Sequence, residues 1–122
     1  MRNLTLIALT LTICVLTLFA QTAPKQDAPV SNETVLFVCE HGAAKSVIAA
    51  AYFNKLAQER GLKVKAVARG TNPDPSLAPA AVQGLKGDGV ALTTSQPALV
   101  SPTEIATAGR VFTFGCTLPG AD

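Results

Sequence analysis

The chain has little of what nucleic-acid and zinc-binding modules are made from. It has no tryptophan, one tyrosine and one histidine, and aromatic residues make up 5% of it. Net charge is +2, falling to +1 without Arg2, and no basic run stands out. A groove for nucleic acid needs a basic stripe and stacking platforms, so this composition argues against one. One histidine and three cysteines at these spacings do not make a conventional zinc finger. Charged residues are also scarce, at 15%, against 48% hydrophobic ones. That balance argues against intrinsic disorder, because there is apolar surface to bury. With 122 residues there is no room for a two-domain enzyme.

What is present divides into three parts. Met1-Arg2-Asn3 is a short basic start, and Leu4 to Ala20 is an uncharged, largely apolar run. Small residues near Ala20 and Ala23 suit cleavage, so residues 1–20 read as a secretory signal peptide. An uncleaved membrane anchor is the alternative, the run being at the short edge of a spanning helix. Lipidation at Cys14 is not expected, since Ile13 is bulky and Cys14 lies in mid-run. A polar linker at 21–33 carries Pro24 and Pro29, and a domain at 34–122 follows. The expected location is therefore periplasmic or secreted, with membrane contact only through the signal segment. Cleavage would leave Cys39 and Cys116 as the cysteines of an exported chain, where free thiols tend towards disulfides.

Thr34 to Val38 is a continuous β-branched and aromatic run, as in a buried parallel strand. From Ala44 to Arg60, Ile48, Ala49, Tyr52, Phe53 and Leu56 recur at helical spacing, with Asn54, Lys55, Gln58 and Glu59 opposite. Gly61 follows as a stop. Lys63 to Ala68 alternates like a second strand, and Arg69 to Ala78 is turn-rich. Pro79 to Lys86 is a short helix opened by Pro79. Pro102 to Ala108 is another, with Ser101 and Glu104 spaced as a capping box. Arg110 to Phe114 is a third strand. Alternation of strand and helix predicts an α/β domain: a doubly wound parallel sheet covered on both faces, with right-handed crossovers.

Cys39-Glu40-His41-Gly42-Ala43-Ala44-Lys45-Ser46 joins the first strand to the first helix. Ligands on open α/β sheets bind at the carboxyl ends of strands. A helix start there gathers backbone N–H groups and the positive end of the helix dipole. Gly42 and its small neighbours allow the backbone to curl around an anion, and Lys45 adds a positive charge. A thiol at the base of such a site is shifted towards thiolate. The stretch predicts an oxyanion cradle over a nucleophilic Cys39, with phosphate and arsenate as guests. A buried structural cysteine followed by an ordinary turn fits the same letters. His41 reads either as a base for Cys39 or as a loop-shaping residue. Cys39 and Cys116 read either as independent thiols or as a pair within disulfide reach.

Cys39, five intervening residues, then Lys45-Ser46 resembles the phosphate-binding loop of the low-molecular-weight protein-tyrosine phosphatase superfamily, which includes thiol-coupled arsenate reductases. In the arsenate-reductase-like branch the loop often reads Cys-x-His-Asn-Ala-Gly-Arg-Ser, and His41, Ala43 and Ser46 agree with it. Val47 to Leu56, Ala68 to Thr71 and Val111 to Cys116 also fit in order and spacing. The resemblance implies a phosphotyrosine-phosphatase-I-like fold of flavodoxin-like strand order. It implies Cys39 as nucleophile, Ser46 as stabiliser of its thiolate, and Glu40 to Lys45 as the oxyanion-binding loop. Cys116 stands near the position of a resolving thiol. No cofactor is implied; the implied partners are a phosphate or arsenate oxyanion, a phosphoprotein, and a thiol reductant for the arsenate reaction.

Four departures accompany the resemblance. Lys45 replaces an Arg, exchanging a planar bidentate clamp for a point charge. Gly42 replaces an Asn, and Glu40 brings a carboxylate beside an anion site. The family's general acid, an Asp in a later Asp-Pro loop, has no counterpart: Asp122 is last, and Asp74 in Pro73-Asp74-Pro75 comes too early in the order. The expectation is a domain lacking its last strand and helix, either active, reduced to binding oxyanions, or an inactive truncated fragment.

Overall fold

The computed structural model describes residues 33–120. The signal segment at 1–20, with Cys14, nearly all of the linker at 21–33, and Asp122 lie outside the described residues.

Within that range the elements run β1 (Thr34–Cys39), α1 (Lys45–Glu59), β2 (Lys65–Gly70), α2 (Pro79–Gly87), α3 (Pro102–Thr107) and β3 (Arg110–Phe114). The strands form one parallel sheet in the order β2-β1-β3. This is the doubly wound α/β arrangement that the strand–helix alternation predicts. The central strand β1 is buried from Val35 to Cys39. Its alternate side chains supply two cores. Val35 and Phe37 pack with Val47, Ala50 and Ala51 of α1 and Leu85 of α2. Leu36 and Val38 pack with Val100, Ile105 and Val111 on the other face. An apolar strand without alternation is what burial on both sides requires.

Three boundaries or faces differ from the sequence reading. β2 begins at Lys65 and ends at Gly70, two residues later at each end than expected. Its pairing is set by β1, whose Thr34 lies opposite Lys65 and whose Cys39 lies opposite Gly70. Gly70 is held further by the segment before α3, donating to Ala98 O and accepting from Val100 N. Local alternation contains no trace of these partners. Helix α1 is also rolled relative to its expected apolar face. Ser46, Val47, Ala50, Ala51 and Ala57 are buried, while Ile48, Tyr52 and Leu56 are 36–44% exposed. Alanines let the helix approach the sheet closely, and Asn54 then reaches β2. It donates to Ala66 O at 2.9 Å and accepts from Ala66 N at 2.7 Å. The amide thus satisfies both backbone groups that Ala66 turns away from β1.

α2 opens on Pro79, and α3 carries the expected capping box between Ser101 and Glu104. Glu104 also accepts from Arg69 of β2 at 2.7–2.8 Å. That pair ties the end of β2 to α3. The carboxyl ends of all three strands therefore finish level, with Gly70 and Phe114 on either side of Cys39.

Candidate active site

Cys39 is the last residue of β1, and the five residues after it curl back before α1 starts. Two features shape the curl. Gly42 has φ +60, in the left-handed region that side-chain-bearing residues avoid, and lies against Gly70. A Cβ on Gly42 would come 2.8 Å from Gly70 N, and one on Gly70 would come 2.8 Å from Gly42 N. The two glycines let the loop and the end of β2 touch backbone to backbone.

The second feature is a row of hydrogen bonds from the β2–α2 segment. Thr71 N donates to Cys39 O, Asn72 N to Glu40 O, Asp74 N to His41 O and Ala78 N to Ala43 O, at 2.8–3.1 Å. The loop's carbonyls are thereby satisfied outwards. The backbone N–H groups of Gly42, Ala44 and Ser46 act on Cys39 from the inner side of the curl. Gly42 N donates to Cys39 Sγ at 3.2 Å. Ala44, the N-cap of α1, makes no side-chain cap bond, and the first turn of α1 holds no acidic residue. The helix start keeps free N–H donors and its positive dipole end for an anion.

Ser46 is fully buried beneath the loop, its Oγ 3.2 Å from Cys39 Sγ. Burial by itself pushes the Cys39 thiol up. The Ser46 hydroxyl and the backbone N–H groups of Ser46, Gly42 and Ala44 outweigh it and bring the pKa below its ordinary value of 9.0.

Above Cys39 lies a pocket of about 280 Å³. Glu40, His41, Ala43, Ala44 and Lys45 line it with Cys39, while Gly42 and Ser46 support it from behind. Lys45 is exposed and, among the described residues, forms no ion pair, so its charge is available to the pocket. His41 is turned to Asp74, with Nδ1 3.1 Å from Oδ1. Sequence reasoning missed Asp74, Phe114 and Gly115 as pocket residues. Asp74 is part of an Asp-Pro pair that stood out as a turn. Only the parallel pairing of β2 with β1 carries it across to the cradle.

Cys116 lies elsewhere. Its Sγ approaches Val38 O at 3.6 Å, and it packs with Leu36, Val38 and Val100. That core is on the face of β1 opposite the one shared by Val35 and Phe37. Both thiols are free, and Cys116 does not line the pocket. Of the two readings of these cysteines, the structure has independent thiols, with Cys116 packed against the other face of the sheet.

A sequence profile of the low molecular weight phosphotyrosine protein phosphatase family matches residues 34–114. The chain belongs to this family. Solved structures agree with the assignment. The YwlE mutant structure from Bacillus subtilis is 25% identical, covering 66% of this chain and 55% of its own, with a TM-score of 0.61. The thioredoxin-dependent arsenate reductase Cg_ArsC1' of Corynebacterium glutamicum is 28% identical, covering 73% of this chain and 43% of its own, with a TM-score of 0.62. YfkJ from Bacillus subtilis, at 23% identity, shares the fold, with 70% and 57% coverage and a TM-score of 0.65. The chain thus spans about half the length of these relatives. No curated protein sequence matches it. The matched family is named for phosphatases, and one structural neighbour is an arsenate reductase.

Proposed function

We propose that the chain is an exported, cysteine-dependent phosphatase that hydrolyses phosphoric monoesters through a covalent intermediate on Cys39. The observation that carries this reading is the thiol itself, buried at the floor of a pocket, donated to by Gly42 N and paired with a buried Ser46 hydroxyl. The oxyanion rests on the loop amides of Glu40 to Lys45 and the start of α1, with Lys45 offsetting its charge. Sγ attacks phosphorus, the bond to the ester oxygen breaks, and a phosphocysteine forms. Water then attacks phosphorus, and the electron pair of the S–P bond returns to Sγ. A phosphoprotein is the partner this pocket would meet. Export rests on the Leu4 to Ala20 run.

Two further readings keep the same cradle. Arsenate is an isosteric guest, and similarity to a thioredoxin-dependent arsenate reductase favours it. In that reading an external thiol supplies the electrons. Lys45 favours binding of the oxyanion without turnover, since a point charge clamps it less well than a guanidinium.

The test is release of phosphate from an aryl phosphate by the full chain and by Cys39→Ser. The phosphatase reading requires the variant to lose turnover while still binding inorganic phosphate by calorimetry. Equal rates would refute it. Binding without turnover in both proteins would favour the oxyanion-binding reading.

A further inference from the structure

The pocket holds a side-chain pair that the phosphatase scheme above leaves unused. His41 Nδ1 lies 3.1 Å from Asp74 Oδ1, and both residues line the pocket over Cys39. They come from different segments and are joined twice, because Asp74 N also donates to His41 O at 3.0 Å. The backbone bond keeps the two residues side by side, and the ring turns its Nδ1 edge to the carboxylate. Among the described residues Nε2 has no hydrogen bond, its Glu40 carboxylate neighbour being 3.8 Å away. The side chains are 54% and 48% exposed, so the pair stands at the pocket's mouth, whereas Sγ lies at its floor.

An in-line displacement makes that position meaningful. With phosphorus over Sγ, the leaving oxygen lies on the side away from sulfur, towards the mouth. The imidazole edge of His41 is on that side, and an imidazole carries a nitrogen that can both give and take a proton. Glu40 and Lys45 are the other charged groups lining the pocket.

We propose that His41, oriented by Asp74, donates the proton to the leaving group. This inference rests on the phosphatase reading. As Sγ bonds to phosphorus, the P–O bond breaks and its electron pair goes to the ester oxygen. That oxygen takes the proton from Nε2 and departs as the alcohol. In the second step the now neutral Nε2 takes a proton from the attacking water, the S–P bond breaks to regenerate the thiolate, and phosphate leaves. Asp74 is a positioning residue that faces Nδ1 and leaves Nε2 to the pocket.

Two aryl phosphates separate this role from simple loop bracing. Dinitrophenyl phosphate departs without protonation, while phenyl phosphate needs a proton. In the full chain, His41→Asn is expected to lose about 10²-fold in kcat/KM on phenyl phosphate and roughly tenfold less on dinitrophenyl phosphate. Asp74→Asn is expected to show the same split with a smaller loss. Equal losses on the two esters in both variants would mean that the pair only holds the loops together, and would overturn the donor role alone. Absence of Cys39-dependent turnover of either ester by the unmodified chain would overturn the phosphatase reading, and the donor role with it.

Discussion

Cys39 is held in a balance between burial, which favours the neutral thiol, and donors that favour the thiolate. The donors together prevail, and Ser46, buried in the first turn of α1, supplies the side-chain one. Ser46→Ala removes the side-chain donor and leaves the backbone ones. The pH midpoint for alkylation of Cys39 by iodoacetamide is expected below the ordinary 9.0 in the unmodified chain and to move up in the variant. An unmoved midpoint would show that the helix start and the loop amides hold the thiolate without Ser46. Lys45 is different in kind. It is exposed and contributes field rather than a fixed clamp.

At the scale of elements, the site depends on two contacts between segments distant in sequence. The first is the backbone-to-backbone approach of Gly42 and Gly70. Gly42→Ala places a Cβ against Gly70 N and forces a positive φ on alanine. A destabilisation of roughly 1–2 kcal/mol or more is expected from the backbone alone, measured by urea unfolding, together with loss of phosphate binding. The second contact is Glu104, which caps α3 and pairs with Arg69 of β2. Burial raises its pKa somewhat, but the Arg69 and Ser101 donors hold it below its ordinary 4.5. A carboxyl whose folded pKa is depressed stabilises the fold above its unfolded value and ceases to do so as pH falls through the folded one. Glu104→Gln should therefore destabilise at pH 7 by about 1 kcal/mol, modest because a third of the side chain is exposed. The difference between the two proteins should shrink below pH 4.5. A difference constant with pH would remove the charge from this account.

For the whole molecule, the local signals were the reliable ones. The burial of β1, the capping box at Ser101, the bounds of β3 and the strand–loop–helix placement of Cys39 are written in short stretches of sequence. What escaped is what distant segments decide. Asn54 looked like a solvent-facing residue until β2 needed an amide for Ala66. Asp74 became a pocket residue, and Cys116 became a core residue of the opposite face, only once the strands were placed. The fold as a whole carries the cradle at the level carboxyl ends of three parallel strands, and the proposed function puts covalent chemistry at one atom of that cradle. Rapid mixing of the full chain with an aryl phosphate, acid quenching and mass spectrometry of the peptides tests it most directly. A phosphoryl group is expected on the peptide containing Cys39, appearing before steady state and absent from Cys39→Ser. Steady release of phosphate with Cys39 unmodified, or modification of another residue, would contradict it.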